Sequence, residues 1–569
     1  MEYIHFKMET LKAALDAMRP QCFFGSVDLS EAYFSIPVRL ADRKYFRFWH
    51  YDQKYQFTCL VMGLATAPRV FTKVLKPVFS TLRSRGHVST AYVDDSCLQG
   101  ATFQECEVNI RDTVELMDDL GLTVHPEKSQ LIPCKQIVFL GFLLCSETMT
   151  VRLTNERILD LKGKCVQILR TKRITIREFS ALIGKMVAAE PGVAYATLHF
   201  KPLEKVKDYY LRLKRGNFDA FMSIPQSSRE TIQWWVDNLD NSVKPISPGK
   251  PSIVLYSDAS TIGWGVKNQT MDLSTGGLWS VAEQECHINI LELKACQLGL
   301  LSMCKDKENV HVRVYMDNTT SCAYINKLGG RKQVLDELAR EIWFWCIERH
   351  IHLSAAHVPG IVNTEADELS RKFNDDLEWS LSDIVFTAIY KLYPDMSVDL
   401  FASRLNNKLI KYVSRRLEPN AIAVDAFSLT WEDELYYIFG PFSLTARILQ
   451  KVAEDQTRAI MVAPLWTTQS WWASLLHHIC GPAFLLPRAQ TILTLPHKPG
   501  IQHPLTKLRL GVFPISGRHC EVRAYQEKLP ILSSDPGGPE RRDNTIRTLN
   551  NGCVFAVQNK LIHLNPLLP

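Results

Sequence analysis

The run Tyr92-Val93-Asp94-Asp95 lies between short β-prone segments, Ser89-Thr90-Ala91 before it and Ser96-Cys97-Leu98-Gln99 after it. Its two acids therefore fall at the tip of a hairpin, where strand alternation would otherwise bring apolar residues. Adjacent carboxylates repel, so the pair is either a polar turn or a seat for a cation. Paired Mg²⁺ ions use such acids in nucleotidyl transfer, one lowering the pKa of an attacking hydroxyl and the other steadying the leaving pyrophosphate. That chemistry needs a third carboxylate on a neighbouring strand. Asp28, which follows the run Phe23-Phe24-Gly25-Ser26-Val27, is the candidate.

A second set of acids lies further along. Asp258 ends the strand-like IVLYSD, Glu292 sits in the helical NILELKA, Asp317 ends VRVYMD, and Asp367 lies in a final helical segment beyond His357. Strand ends and helix faces from separate segments can converge, and acids brought together in this way repel unless they share metal ions. Taken singly, each has a plainer explanation: Glu292 as a solvated helix position, Asp317-Asn318 as a helix N-cap region, and His357 as a loop residue before Pro359-Gly360.

A chain of 569 residues, 46% hydrophobic, is too long for one domain and rich enough in apolar side chains for several cores. Residues 1–150 alternate helical and strand-like segments and read as α+β; 151–245 read as mainly helical. The proline-bearing SVKPISPGKPS then acts as a linker. Residues 252–373 read as a mixed sheet with helices, 376–515 as a Trp-rich strand-and-helix region, and 516–569 as a disordered linker or tail. Lys+Arg of 66 against Asp+Glu of 60 gives a net charge of +6, which permits a nucleic-acid partner without requiring one. The 15 cysteines form no CxxC pair, and no apolar run is long enough to span a membrane. The N-terminus lacks a secretory leader pattern, so the expectation is a cytoplasmic or nuclear protein, neither secreted nor membrane-bound.

In order, DLSEAYFSIP from Asp28, MGLATAPRVF from Met62, YVDD, GLTVHPEK ending at Lys128, and FLGF from Phe139 closely resemble the motifs of a reverse transcriptase palm. The resemblance implies that Asp28, Asp94 and Asp95 hold metal and that Tyr33 stacks under the incoming sugar and excludes a 2′ hydroxyl. It also implies that Met62 and Gly63 pack against template and nucleotide, with Lys128 in the same substrate-binding set, and that Phe139, Leu140 and Gly141 grip the primer. Met62 departs from the Phe or Gln more common in that family. Likewise SDAS, GWG, LELKA, YMDN and HVPG-x-x-N-x-x-A-D-x-L-S-R resemble a ribonuclease H domain over 252–373. That likeness implies Asp258, Glu292, Asp317 and Asp367 as metal ligands, with His357 assisting proton transfer or product release. The third region, with VDLFAS at Val398 and Phe439-Gly440-Pro441-Phe442, resembles the methyltransferase-like region of DIRS-type retrotransposons. Phe439 stands where adenine methyltransferases need Asp or Asn, so the expectation is a degenerate fold that binds S-adenosylmethionine weakly or not at all and does not methylate adenine.

The fold class expected is multi-domain α+β and α/β. It comprises a reverse transcriptase palm with partial fingers and a helical thumb or connection, a ribonuclease H-like mixed sheet, and a degenerate Rossmann-like methyltransferase-type domain. The function implied by the resemblance is RNA-directed DNA polymerisation with ribonuclease H activity, using two Mg²⁺ or Mn²⁺ ions per site. The partners implied are an RNA template, a DNA primer, their hybrid and dNTPs, with a separately encoded tyrosine recombinase as a further partner of the element. Because the chain begins shortly before Asp28, most of the fingers is expected to be missing. The alternative is thus an element relic that binds nucleic acid without polymerising.

Overall fold

Residues 6–373, 379–531 and 553–568 are described by a computed structural model of the chain. It divides into two units, Met1–Gly249 and Lys250–Pro569.

In the first unit, β1 (Phe23–Asp28), helix α1 (Ala67–Ser84), β2 (Val88–Tyr92), β3 (Asp95–Gly100), helix α2 (Phe103–Asp119) and β4 (Gln130–Cys134) build an antiparallel sheet of order β2-β3-β1-β4. Helix α1 carries Phe71, Leu75, Val78, Phe79 and Leu82 at three- and four-residue spacing and buries them with Leu98 and Ile110. Helix α2 begins with a capping box, Thr102 accepting the Glu105 N–H while Glu105 reaches back. A separate exposed hairpin pairs Arg47–His50 with Gln53–Gln56.

Strands β5 (Gln136–Phe139), β6 (Phe142–Cys145) and β7 (Thr150–Leu153), with Lys244–Pro245 at the edge, form a second sheet of this unit. Helices α3 (Asn155–Arg170), α4 (Ile176–Ala189), α5 (Ala196–Leu213) and α6 (Gln226–Asn238) follow and bury Leu161, Phe179, Leu203 and Trp235. The segment expected to be helical also contains the short strand pair Arg173–Thr175 and Phe221–Ser223.

The second unit opens with β8 (Ile253–Ala259), β9 (Gly263–Asn268), β10 (Leu273–Leu278), helix α7 (Ile288–Met303), β11 (His311–Met316), β12 (His352–His357) and helix α8 (Thr364–Arg371). The sheet order is β10-β9-β8-β11-β12, antiparallel through β8 and parallel beyond it. Helix α8 lies directly on β9 because Gly265 has no side chain; a Cβ there would meet the Ala366 carbonyl at 2.4 Å and the Ser370 nitrogen at 2.7 Å.

A nine-stranded sheet follows: β13 (Met396–Asp399), β14 (Lys411–Ser414), β15 (Ala423–Val424), β16 (Leu435–Ile438), β17 (Arg458–Pro464), β18 (Ala483–Leu485), β19 (Leu510–Ser516), β20 (Val554–Val557) and β21 (Lys560–Pro566). Its order is β15-β14-β13-β16-β17-β19-β18-β21-β20. Strands β13 to β17 run parallel, and β19 runs against β17 and β18. Helix α9 (Thr445–Glu454) packs beside it.

The expectation of a disordered tail from 516 is corrected on the described residues. His519–Gln526 is helical, and β20 and β21 extend the sheet. The apolar runs VFAV and LIHL flank Gln558-Asn559, both with positive φ (47° and 63°), a geometry suited to a tight hairpin turn. The polar stretch SSDPGGPERRDN lies outside the described residues, as does the junction 374–378. Among the described residues, no helix is long and apolar enough to cross a membrane.

Candidate functional site

The first acid set forms where β1 and β3 end side by side. Asp28 pairs in register with Asp95, and Tyr92 of β2 pairs with Asp95 from the other side. Val93 and Asp94 are left to make the turn, and Val93 is held at φ +56°, a conformation costly for a β-branched residue. The Leu29 N–H donates to the Asp94 carbonyl (3.2 Å), which ties the turn to β1. The GLTVHPEK segment braces the other side. The His125 N–H donates to the Asp28 carbonyl (2.8 Å), and the Asp28 N–H donates to Ser129 Oγ (3.0 Å).

Asp28 and Asp95 are half-buried, and Asp94 is exposed. Burial, the Asp94 charge and contact with Asp28 push the Asp95 carboxyl up to about 6, while Lys128 pulls it down. These are acids crowded together without enough positive charge. A cavity of about 560 Å³ opens beside them, and Asp28, Asp95, Lys128, Phe139, Leu140 and Gly141 all line it.

The remaining expected residues surround this centre. Tyr33 is half-buried and edge-on to Phe71, with ring centroids 5.4 Å apart; burial and the Asp94 charge raise its hydroxyl pKa. Met62 is 61% exposed, and Gly63 turns with φ +85° into open space. Phe139 and Phe142 pair across a two-residue turn in which Leu140 (φ +50°) and Gly141 (φ +76°) are both left-handed. A Cβ on Gly141 would lie 2.2 Å from Arg157 Nε. Arg157 packs on the Phe142 ring at 5.0 Å and lines the cavity, a role that no sequence motif signals.

The second set is tighter. One ligand oxygen from each of Asp258, Glu292 and Asp317 lies within 4.8 Å of the other two. Asp258 ends β8, Asp317 follows β11 in parallel register with β8, and α7 lays Glu292 against them. Glu292 is only 4% exposed, which corrects its reading as a solvated helix position. Burial, then the charges of Asp258 and Asp317, raise its carboxyl to about 9, and among the described residues its Oε2 has no hydrogen-bond partner. A buried carboxylate oxygen left orphaned among acids is the donor set that a divalent cation satisfies, so these residues fit a metal ion. Ser370 Oγ, on α8, donates to Asp258 Oδ2 (2.7 Å) and holds that carboxylate in place. Asn318 caps the next helix, accepting the Ser321 N–H (3.0 Å).

Asp367 stands outside the tight group. Its carboxylate accepts from Arg371 Nε (2.7 Å) one helical turn away, although its charge still acts on Asp258. His357 ends β12 beside Met316, exposed and within the same strand-end region as Asp317.

In the third region Asp399 ends β13 fully buried, accepting the Lys408 N–H (3.0 Å), and burial pushes it up to about 7. Phe439 is half-buried, with Phe442 at 6.3 Å. His477 and His478 turn their Nδ1 atoms onto carbonyls of their own helix.

Residues 1–144 match the family model described as reverse transcriptase (RNA-dependent DNA polymerase). The chain is 26% identical over 202 residues to the Gag-Pol polyprotein of Walleye dermal sarcoma virus, covering 35% of this chain and 11% of that protein. It is 29% identical over 187 residues to the Gag-Pro-Pol polyprotein of Human T-cell leukemia virus 2 (31% and 12%). To the enzymatic polyprotein of Cauliflower mosaic virus (strain D/H) it is 20% identical over 378 residues (63% and 52%). The chain thus spans between 11% and 52% of these relatives. Among solved structures, the foamy viral protease-reverse transcriptase in complex with dsDNA aligns with TM-score 0.38 and 17% identity, over 62% of this chain and 72% of that one. The first unit therefore contains a reverse transcriptase domain of the retroviral or retroelement polyprotein type.

Proposed function

We propose that the chain is the reverse transcriptase and ribonuclease H part of a DIRS-type retrotransposon polyprotein, copying RNA into DNA and degrading the RNA of the resulting hybrid. The observation that carries the second activity is the convergence of Asp258, Glu292 and Asp317 around an unpartnered buried Glu292 oxygen, downstream of a reverse transcriptase domain.

In the first centre Asp28, Asp94 and Asp95 would hold Mg²⁺ or Mn²⁺, and Lys128 would add positive charge where the triphosphate of a dNTP enters. Tyr33 would floor the sugar, and the Phe139–Phe142 turn would steady the primer end. In the second centre Asp258, Glu292 and Asp317 would be the ligands, with Asp367 joining on release from Arg371 and His357 taking or giving a proton at the leaving oxygen. When bound, the metal supplies water activation and charge neutralisation at the scissile phosphate. Ser370 keeps Asp258 aimed, and Gly265 keeps α8 close enough for Ser370 to reach it.

For the nine-stranded sheet, the order β15-β14-β13-β16-β17 supports the methyltransferase-type reading, since it is the 3-2-1-4-5 order of a doubly wound nucleotide-binding sheet. Phe439 in place of an acid or amide supports loss of adenine methylation. A separately encoded tyrosine recombinase completes this reading of the element.

Primer extension and hybrid cleavage by the purified chain in Mg²⁺ test the proposal. Asp95→Asn should abolish the first and spare the second, and Glu292→Gln should do the reverse, each by at least about 100-fold. Cleavage unchanged in Glu292→Gln removes the ribonuclease H assignment.

A further inference from the structure

Beyond the two acid centres, a cavity of about 540 Å³ opens at the carboxyl ends of β13, β14, β15 and β16. This is the switch point of the sheet, where the order turns from β15-β14-β13 to β16-β17, and open α/β sheets bind ligands at such points. Its volume falls in the range of about 300–1,000 Å³ typical of small-molecule sites.

The walls are chemically uneven. Arg415 and Arg416 leave the end of β14, and Arg447 comes from α9. Arg447 sits 3.9 Å from the centroid of the Phe427 ring, and Phe401 meets Phe427 edge-on at 5.5 Å. Among the described residues no carboxylate pairs with Arg415, Arg416 or Arg447. The acids that also line the cavity are already engaged. Glu418 accepts the Arg404 N–H and the Tyr412 hydroxyl, and Asp425 accepts the Phe427 N–H. Arg404 itself is held by Glu283. The N–H and O–H donors to Glu418 and Asp425 are neutral and leave both carboxylate charges in place, so with Arg404 paired the cavity keeps a net charge of +1, three arginines against two acids, next to aromatic faces.

Doubly wound sheets usually hold phosphate on a glycine-rich turn and the helix N-terminus behind their first strand. This sheet has neither. Val398-Asp399-Leu400-Phe401-Ala402-Ser403 contains no glycine, and β13 passes to β14 through the irregular segment 400–410. Side chains must do what backbone N–H groups do elsewhere, and arginine is the residue suited to phosphate. S-adenosylmethionine is the wrong charge for this cavity, because its sulfonium is a cation.

We infer that the cavity holds a phosphate-bearing nucleotide unit, with the phosphate on Arg415, Arg416 and Arg447 and the base against Phe401 and Phe427. The unit is either a free nucleotide or the phosphorylated end of a strand.

The test uses the full chain in EDTA, so that neither acid centre is metal-loaded. Calorimetric titration with adenosine 5′-monophosphate should give saturable binding. Adenosine and S-adenosylmethionine should each bind at least tenfold more weakly. Arg447→Gln and the double change Arg415→Gln/Arg416→Gln, all at exposed positions, should each weaken binding at least tenfold, and Arg447→Lys should restore most of it. Photolabelling with 8-azidoadenosine 5′-monophosphate should mark peptides containing Phe401 or Phe427. A 5′-phosphorylated oligonucleotide that displaces the monophosphate when its 5′-hydroxyl counterpart does not would assign a strand end; failure of both to displace it would assign the free nucleotide. No binding of the monophosphate, equal binding of adenosine, unchanged binding by the arginine variants, or labelling confined to residues 1–249 would each overturn the inference.

Discussion

Replacing Glu283 with Gln should destabilise the second unit in a way that depends on pH. The Glu283 carboxylate accepts from Arg404 Nη1 and Nη2 (3.0 and 2.9 Å), lies 2.7 Å from Lys294 Nζ, and accepts the Ser280 N–H (2.8 Å). Burial alone would raise its pKa; the hydrogen bonds and charge of Arg404, then Lys294, overcome that and hold it at about 2, against an ordinary value of 4.5. Such a displacement is worth about 3 kcal/mol, and because Lys294 is 32% exposed, solvent screening brings the expected figure to about 2 kcal/mol. Removing the charge also strands Arg404, whose side chain is 19% exposed, so the loss at pH 7 should be about 2–4 kcal/mol. The sign is that of a lowered carboxylate. The stabilisation is present above 4.5 and is lost as pH falls toward 2, so the gap between parent and Glu283→Gln should shrink by roughly a third by pH 3.5. Urea unfolding read by hydrogen exchange across residues 250–531 isolates this unit. A loss below about 1 kcal/mol at pH 7, or a loss of equal size at pH 7 and pH 3.5, would refute the charge argument.

Gly141→Ala would drive a Cβ into Arg157 at a positive-φ position and should cost about 1–3 kcal/mol; primer-template KM should rise more than kcat falls, read by steady-state extension. Tyr33→Ala should open room beneath the sugar and raise ribonucleotide incorporation, measured as the dNTP to rNTP ratio of kcat/KM; an unchanged ratio returns Tyr33 to packing against Phe71. Ser370→Ala removes the 2.7 Å hydrogen bond to Asp258 and should raise the Mg²⁺ concentration for half-maximal hybrid cleavage about tenfold, while Ser370→Thr keeps the parent value.

What could be seen in the sequence was whatever broke a local pattern. Acids ending apolar strands stand out against period-two alternation, which is why Asp28, Asp95, Asp258 and Asp317 are legible before any fold is known. Glu292 is harder, because α7 is apolar nearly all round and one acid in it reads as easily as solvated as buried. Arg157 leaves no local trace, since it acts from a helix that meets a hairpin turn; Ser370 falls within the L-S-R of its motif, but its reach to Asp258 depends on a helix that meets the sheet through Gly265, which no spacing shows. The Glu283–Arg404 pair joins segments far apart in the chain, and no spacing rule predicts such a contact. The strands at 554–566 were hidden by the polar stretch before them, whose composition outweighed two short apolar runs.

Strand β21 pairs in parallel with β18, although 74 positions separate Leu485 from Lys560, and it also holds β20 at the sheet's edge. A ribosome must therefore finish Lys560–Pro566 before β18 gains its second neighbour, so the nine-stranded sheet is completed late, only once that segment has been made. Until then the backbone of Ala483–Leu485 is an open template for pairing with another chain. Expression fragments that stop near residue 515 would leave that edge permanently bare, so their insolubility would report a missing strand and say nothing about the chemistry of either acid centre.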